Sequence, residues 1–180
     1  MPLYSKQIQD YTWANKPSVA PSGQIICVTD VGENGILCRG NGTKWVRMHP
    51  TTVSSLGSSV VLTGTTAETT LLTIPIKGGL MGLGGRLNVL SFCAFTNNAN
   101  SKAVRAKVGA TVVASMVSTN QSTSGFNFWM LNINSETSQR TITSAGISVD
   151  TSVDFTLTLT GQLANSADSL TVFAQTLEVI

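Results

Sequence analysis

The sequence predicts an all-β protein with almost no helix: a small N-terminal antiparallel meander with an extended arm, then a C-terminal β-sandwich of jelly-roll type that associates with itself. Three observations predict it. Short apolar runs recur at strand length, separated by Asn-Gly turns and clusters of Ser, Thr and Asn. No segment sustains an apolar period of 3.6 residues. Only 11% of the 180 residues are charged, while 42% are hydrophobic. Hydroxyls and amides therefore solvate the surface, and Thr suits strands as Ser and Asn suit turns.

Residues 1–22 place Tyr4, Tyr11 and Trp13 among polar residues and three prolines with no periodicity, which reads as an extended arm. Three short strands follow, near 24–30, 36–39 and 43–48, separated by the turn signals Gly32-Glu33-Asn34-Gly35 and Gly40-Asn41-Gly42. A meander this small buries little by itself and needs a partner surface. Residues 1–50 thus form an arm-and-meander module. Residues 51–59, rich in Ser and Thr, read as a linker. The sandwich domain occupies 60–180, with strands near 60–63, 69–76, 85–95, 102–108, 111–117, 126–134, 138–143, 152–160 and 169–179. In the run from Val153 to Thr160 every odd position is apolar and every even one polar, which predicts one dry and one wet face.

Other strands are apolar on both faces. Phe126, Phe128 and Met130 oppose Trp129, Leu131 and Ile133. Leu87, Val89, Cys93 and Phe95 oppose Leu90, Phe92 and Ala94, and Leu170, Val172 and Ala174 oppose Phe173, Leu177 and Val179. A two-layer sandwich covers one face of each sheet only. Leaving three such side chains in water forgoes about 1.5 to 3 kcal/mol each, against a net domain stability of about 5 to 15 kcal/mol. Identical subunits packed around a threefold axis are the economical cover, with Trp129, Leu131, Ile133 and Phe92 at the contact. The competing cover is a third layer made by the arm or by loops.

The chemistry search excludes more than it finds. A net charge of +2 with scattered basic residues argues against nucleic acid. No apolar stretch approaches membrane-spanning length. The N-terminus lacks the apolar core of a secretory signal, which predicts folding in a cytoplasm and reduced thiols at Cys27, Cys38 and Cys93. A Cys27 to Cys38 bridge is the alternative. His49 has no nucleophile-elbow partner, and the cysteine and histidine spacings predict no metal site and no cofactor. The glycine run from Gly78 to Arg86 lacks the Gly-Lys-Ser/Thr of a phosphate loop. Asp30 with Glu33 falls in a turn, and Asp150 with Asp154 is a weak glycosidase pair. Arg105 and Lys107 form a small basic stripe, read as an outward face that discourages edge pairing rather than as a glycan or capsid site. Asn41 and Asn120 match the glycosylation pattern, which means nothing without a secretory route. No enzyme is predicted.

Two sets of segments resemble tailed-bacteriophage virion proteins. Tyr11-Thr12-Trp13-Ala14-Asn15-Lys16-Pro17, with Val28-Thr29-Asp30-Val31-Gly32 and Gly42-Thr43-Lys44-Trp45-Val46-Arg47, resembles the short Trp- and Gly-containing module of small virion proteins. The stretch from Leu62 to Leu71, Gly82-Leu83-Gly84-Gly85-Arg86-Leu87 and the stretch from Phe95 to Lys102 are similar to the β-rich C-terminal domain of phage fibre, spike and head-decoration proteins. The resemblance implies a homotrimer whose N-terminal part docks on capsid or tail, with Tyr11, Trp13 and Trp45 as docking residues. It implies a place in the virion, after synthesis in the host bacterial cytoplasm. A head-decoration or fibre protein and a tail tip that recognises host-surface carbohydrate are both compatible with it, and the scarcity of aromatics favours the former.

Overall fold

Turn chemistry and two-residue alternation divide the chain into strands joined by turns and loops, and the computed structural model describes residues 8–31, 35–141 and 146–180. In chain order the strands are β1 (Gln9–Tyr11), β2 (Ile25–Val28), β3 (Ile36–Gly40), β4 (Trp45–Arg47), β5 (Thr51–Ser55), β6 (Val60–Thr63), β7 (Thr69–Ile76) and β8 (Arg86–Phe95). They continue with β9 (Lys102–Val108), β10 (Thr111–Ser118), β11 (Thr123–Ser135), β12 (Ser138–Thr141), β13 (Gly146–Ile147), β14 (Phe155–Leu163) and β15 (Ser169–Val179). The described residues contain no helix. Two compact units result, Met1–Thr51 and Thr52–Ile180.

The first unit is one four-stranded sheet in the order β1-β2-β3-β4. Its meander is as expected, but the arm is not merely extended: β1 adds to it in parallel, with Gln9 opposite Ile26 and Tyr11 opposite Val28. Ala20, Ile26, Val28, Ile36 and Cys38 form its small core. Cys38 lies opposite Ile26, so neighbouring Cys27 points to the other face of the sheet. That geometry rules out the bridge, and all three thiols are free. Burial raises the Cys38 thiol, and raises that of Cys93 to about 11. Residues 32–34, the first three of one expected turn signal, lie outside the described residues.

In the second unit the pairings are nested. β6 pairs β15, β7 pairs β14, β8 pairs β11 and β9 pairs β10. The chain is therefore one long hairpin, wrapped so that its strands fall into two sheets, β6-β15-β8-β11 and β7-β14-β9-β10. This is the jelly-roll order. At the tip of the long hairpin, β9 turns into β10 through Gly109 and Ala110, with φ +57° at Gly109, the left-handed backbone a two-residue turn needs. β12 and β13 widen the first sheet beyond β11, and β5 joins it beside β15, giving seven strands against four.

Between the sheets lie Leu87, Val89, Phe128, Met130, Leu170 and Leu177 from the larger and Ile76, Val104, Ala106, Leu157 and Leu159 from the smaller, all fully buried. Three expectations are corrected, two of them by bulges. A register shift between Val172 and Ala174 leaves Phe173 on the outer face, sets Ala174 there opposite Phe92, and returns Leu177 and Val179 to the core face with Leu170 and Val172. A second shift, between Leu159 and Thr160, breaks the perfect alternation read from the sequence: Thr160 is buried and Val153 lies outside the strand and exposed. The third concerns residues 51–59. They are not simply a linker, since Thr51–Ser55 is β5 and Leu56 donates its N–H to Gln175 O at 2.9 Å; the β-propensity of Thr and Val outweighs the Ser-rich composition. Residues 142 and 143, expected in a strand, lie outside the described residues.

Candidate functional site

The outer face of the seven-stranded sheet is where the fold leaves apolar surface uncovered. Its cross-strand rows follow from the register. Trp129 lies opposite Asn88, which lies opposite Glu178; Asn127, Leu90 and Thr176 form the next row; Gly125, Phe92 and Ala174 the next. Phe173, at the bulge of β15, brings its ring to 6.2 Å from that of Phe92. Phe92 is 43%, Phe173 47% and Leu90 38% exposed, while Trp129, Leu131 and Ile133 on the same face are half-buried. The four residues picked from the sequence for a subunit contact thus share one face. Phe173 belongs with them: alternation set it opposite Leu170 and Val172, which are buried, and the residues it misplaced are Leu177 and Val179, because a bulge leaves no signature in apolar spacing.

The three aromatic residues picked for docking are spread more widely. Tyr11 stands on edge strand β1 and donates its hydroxyl to Gln9 Oε1 at 2.6 Å. Trp45 stands on the opposite edge strand, β4, and its indole N–H donates to Pro17 O at 2.7 Å. Trp13 carries Lys16 Nζ 4.0 Å from its ring centroid, a cation–π contact. All three are half-buried in their own unit. Among the described residues the exposed large apolar side chains of this unit are Ile8, Val19, Ile25, Val46 and Met48, and Ile8 with Ile25 lines a groove of about 880 Å³.

The acid and base groups are committed elsewhere. Glu68 accepts from Lys107 Nζ at 2.8 Å and from the Thr160 hydroxyl at 2.5 Å, and lies 3.4 Å from Arg105. Hydrogen bonds from Lys107 and then Thr160 hold its carboxyl down at about 2. The single Glu68 charge thus offsets part of the basic stripe in place. The stripe does not guard an edge, because β9 sits between β10 and β14. Asp150 is lowered by the Ser152 hydroxyl and backbone, and Asp154 by the Gly78 N–H and then by Lys77. Both favour the ionised form, whereas a glycosidase acid has to be raised. His49 is exposed with Nδ1 2.8 Å from Pro50 O. The glycine run is explained by packing: a side chain on Gly85 would collide with the Met81 backbone and one on Gly78 with the Val153 backbone. Among the described residues no group of three His, Cys, Asp or Glu could hold a metal.

One cluster escaped the sequence reading. Lys102 is 1% exposed, the largest fully buried side chain among the described residues. Its position carried a signal, since alternation along β9 puts it on the face of Val104 and Ala106.

No protein-family model matches the sequence, and no curated protein matches it. Among solved structures, the chain is similar to a crystal structure of the infectious bursal disease virus VP2 subviral particle, with 11% identity and a TM-score of 0.39. The match covers 92% of this chain and 41% of that one. A structure of the infectious bursal disease virus Gt strain gives 10% identity and a TM-score of 0.36, over 92% of this chain and 42% of that one. This chain thus spans less than half the length of either, and likenesses this slight assign it neither a function nor a partner.

Proposed function

We propose that the chain is a non-enzymatic structural protein of a bacteriophage virion: a homotrimeric fibre or decoration protein, attached to capsid or tail through its N-terminal unit, with the jelly roll facing outward. The observation that carries the self-association is the outer sheet face, where Leu90, Phe92 and Phe173 stay in water beside half-buried Trp129, Leu131 and Ile133. A second copy removes this apolar surface from water. The jelly roll agrees with the role without proving it, because this fold also serves in lectins and other proteins. The virion assignment rests on the sequence resemblance. Attachment is assigned to residues 1–50, where Tyr11, Trp13 and Trp45 sit near exposed Ile8, Val46 and Met48. Deleting residues 1–48 is expected to leave a soluble trimer that no longer joins particles; a truncated form that still incorporates refutes the attachment.

A second reading uses the same face differently. The paired rings of Phe92 and Phe173, with Asn127, Thr176 and Glu178 in neighbouring rows, are the kind of platform on which a host-surface glycan stacks and hydrogen-bonds. Subunit packing and glycan binding compete for this surface. An image of the particle locating the protein on the shell or at the tail tip, with a glycan titration monitored through Trp129, separates the two.

A further inference from the structure

The buried Lys102 lies at the end of the jelly roll where the turn between β8 and β9 meets the turn between β14 and β15. Its Nζ donates to the Asn98 side-chain Oδ1, to Asn100 O at 2.8 Å and to Asn98 O at 3.3 Å. Asp168, 3% exposed, faces it from the other turn, with Oδ2 3.8 Å from Nζ. The same carboxylate accepts from Asn98 Nδ2 at 2.7 Å through Oδ1 and from Asn100 Nδ2 at 3.0 Å through Oδ2. One carboxylate therefore reaches both the amine of Lys102 and the amide nitrogen of Asn98, and the Asn98 carbonyl rests against that amine.

We propose that Lys102 condenses with Asn98 inside the folded chain, forming an intramolecular isopeptide bond and releasing ammonia, with Asp168 carrying the proton. The ammonium of Lys102 first passes a proton to the Asp168 carboxylate. The Asn98 side-chain hydrogen bond holds the Asp168 carboxyl below its ordinary range, so the neutral amine and acid form only transiently, as the reactive minor species. The Nζ lone pair then bonds to Asn98 Cγ while the carbonyl π pair moves onto Oδ1. As the carbonyl re-forms, the Cγ–Nδ2 bond breaks and its electron pair stays on nitrogen; Asp168 returns the first proton to that nitrogen and relays to it a second one, taken from the newly bonded Nζ. Two of the three Lys102 ammonium protons leave with the departing nitrogen as ammonium, and one remains on the new amide. Charge balances, Asp168 ends as it began, and no oxidant or added co-reactant is consumed. Folding supplies the driving geometry, because three groups held in contact react as though at very high concentration. Burial keeps water from competing with the amine. The outcome is a covalent closure of the turn between β8 and β9, independent of whether the chain serves a virion.

The full-length protein, denatured after folding, tests this by mass. The expected mass is lower than that of the sequence by one ammonia, about 17 Da, and trypsin fails to cut after Lys102, so that the deficit lies in the fragment 87–105. A protein at its full sequence mass overturns the proposal. So does a deficit accompanied by normal cleavage after Lys102, which marks closure of an asparagine on its own backbone. Asp168→Asn is expected to restore both the mass and the cleavage; a deficit that persists in this variant overturns the role given to Asp168. The wild-type measurement decides the bond even where a variant fails to fold.

Discussion

Replacing Phe92 and Phe173 together by serine should dissociate the assembly while leaving the subunit folded. Both rings lie on the outer sheet face, stacked at 6.2 Å, and contribute nothing to the space between the sheets. They are 43% and 47% exposed. With about 200 Å² for a phenylalanine side chain, the pair leaves roughly 180 Å² of apolar surface for a neighbour to cover. At about 25 cal/mol per Å² this amounts to about 4 to 5 kcal/mol per subunit, or roughly a thousandfold in the association constant. Sedimentation velocity across a concentration series reads the effect, with circular dichroism as the control for folding. Wild-type protein should stay associated through the micromolar range, and the double variant should become monomeric there. A double variant that associates as tightly as wild type would show that the subunits meet elsewhere.

Other consequences rest on single contacts. Phe128→Ala opens a cavity between the sheets and should cost about 3 to 5 kcal/mol in urea unfolding; a loss under about 1 kcal/mol contradicts the core assignment. Glu68, held at about 2 against an unfolded value of 4.5, contributes stability that is complete above pH 4.5 and lost as pH falls through 2. After allowance for solvent screening the contribution is about 1 kcal/mol. Wild type and Glu68→Gln should therefore differ at pH 6 and converge near pH 2, and a pH-independent difference refutes the ion-pair account. Trp45→Phe removes the hydrogen bond to Pro17 and should destabilise the N-terminal unit by about 1 kcal/mol, read by hydrogen exchange of β4; unchanged exchange makes that bond irrelevant.

Much of this fold was legible because its strands are punctuated. Clusters of Gly, Ser, Thr and Asn marked nearly every boundary from 60 to 135, and two-residue periodicity separated Phe126, Phe128 and Met130 from Trp129, Leu131 and Ile133 as they stand in the structure. Bulges were invisible for a physical reason: one inserted residue reverses the faces beyond it, and nothing in the composition near Val172 or Leu159 announces the insertion. β1 and β5 were missed because each borrows its hydrogen bonds from a distant strand, so their neighbours in sequence give no cue. The buried charge was missed for a related reason. Alternation along β9 sets Lys102 on the core face, but the partner that makes a buried charge tolerable there, Asp168, stands 66 positions further along the chain, and that meeting is a product of the wrapping. The candidate contact face was readable as a pattern, while its completion by Phe173 required the coordinates.

The central claim is that the outer sheet face is covered by other copies of the chain, and the mass of the wild-type protein in solution tests it most directly. Light scattering at micromolar concentration should give close to three times the 18.9 kDa chain mass. A mass of one chain at that concentration would contradict it.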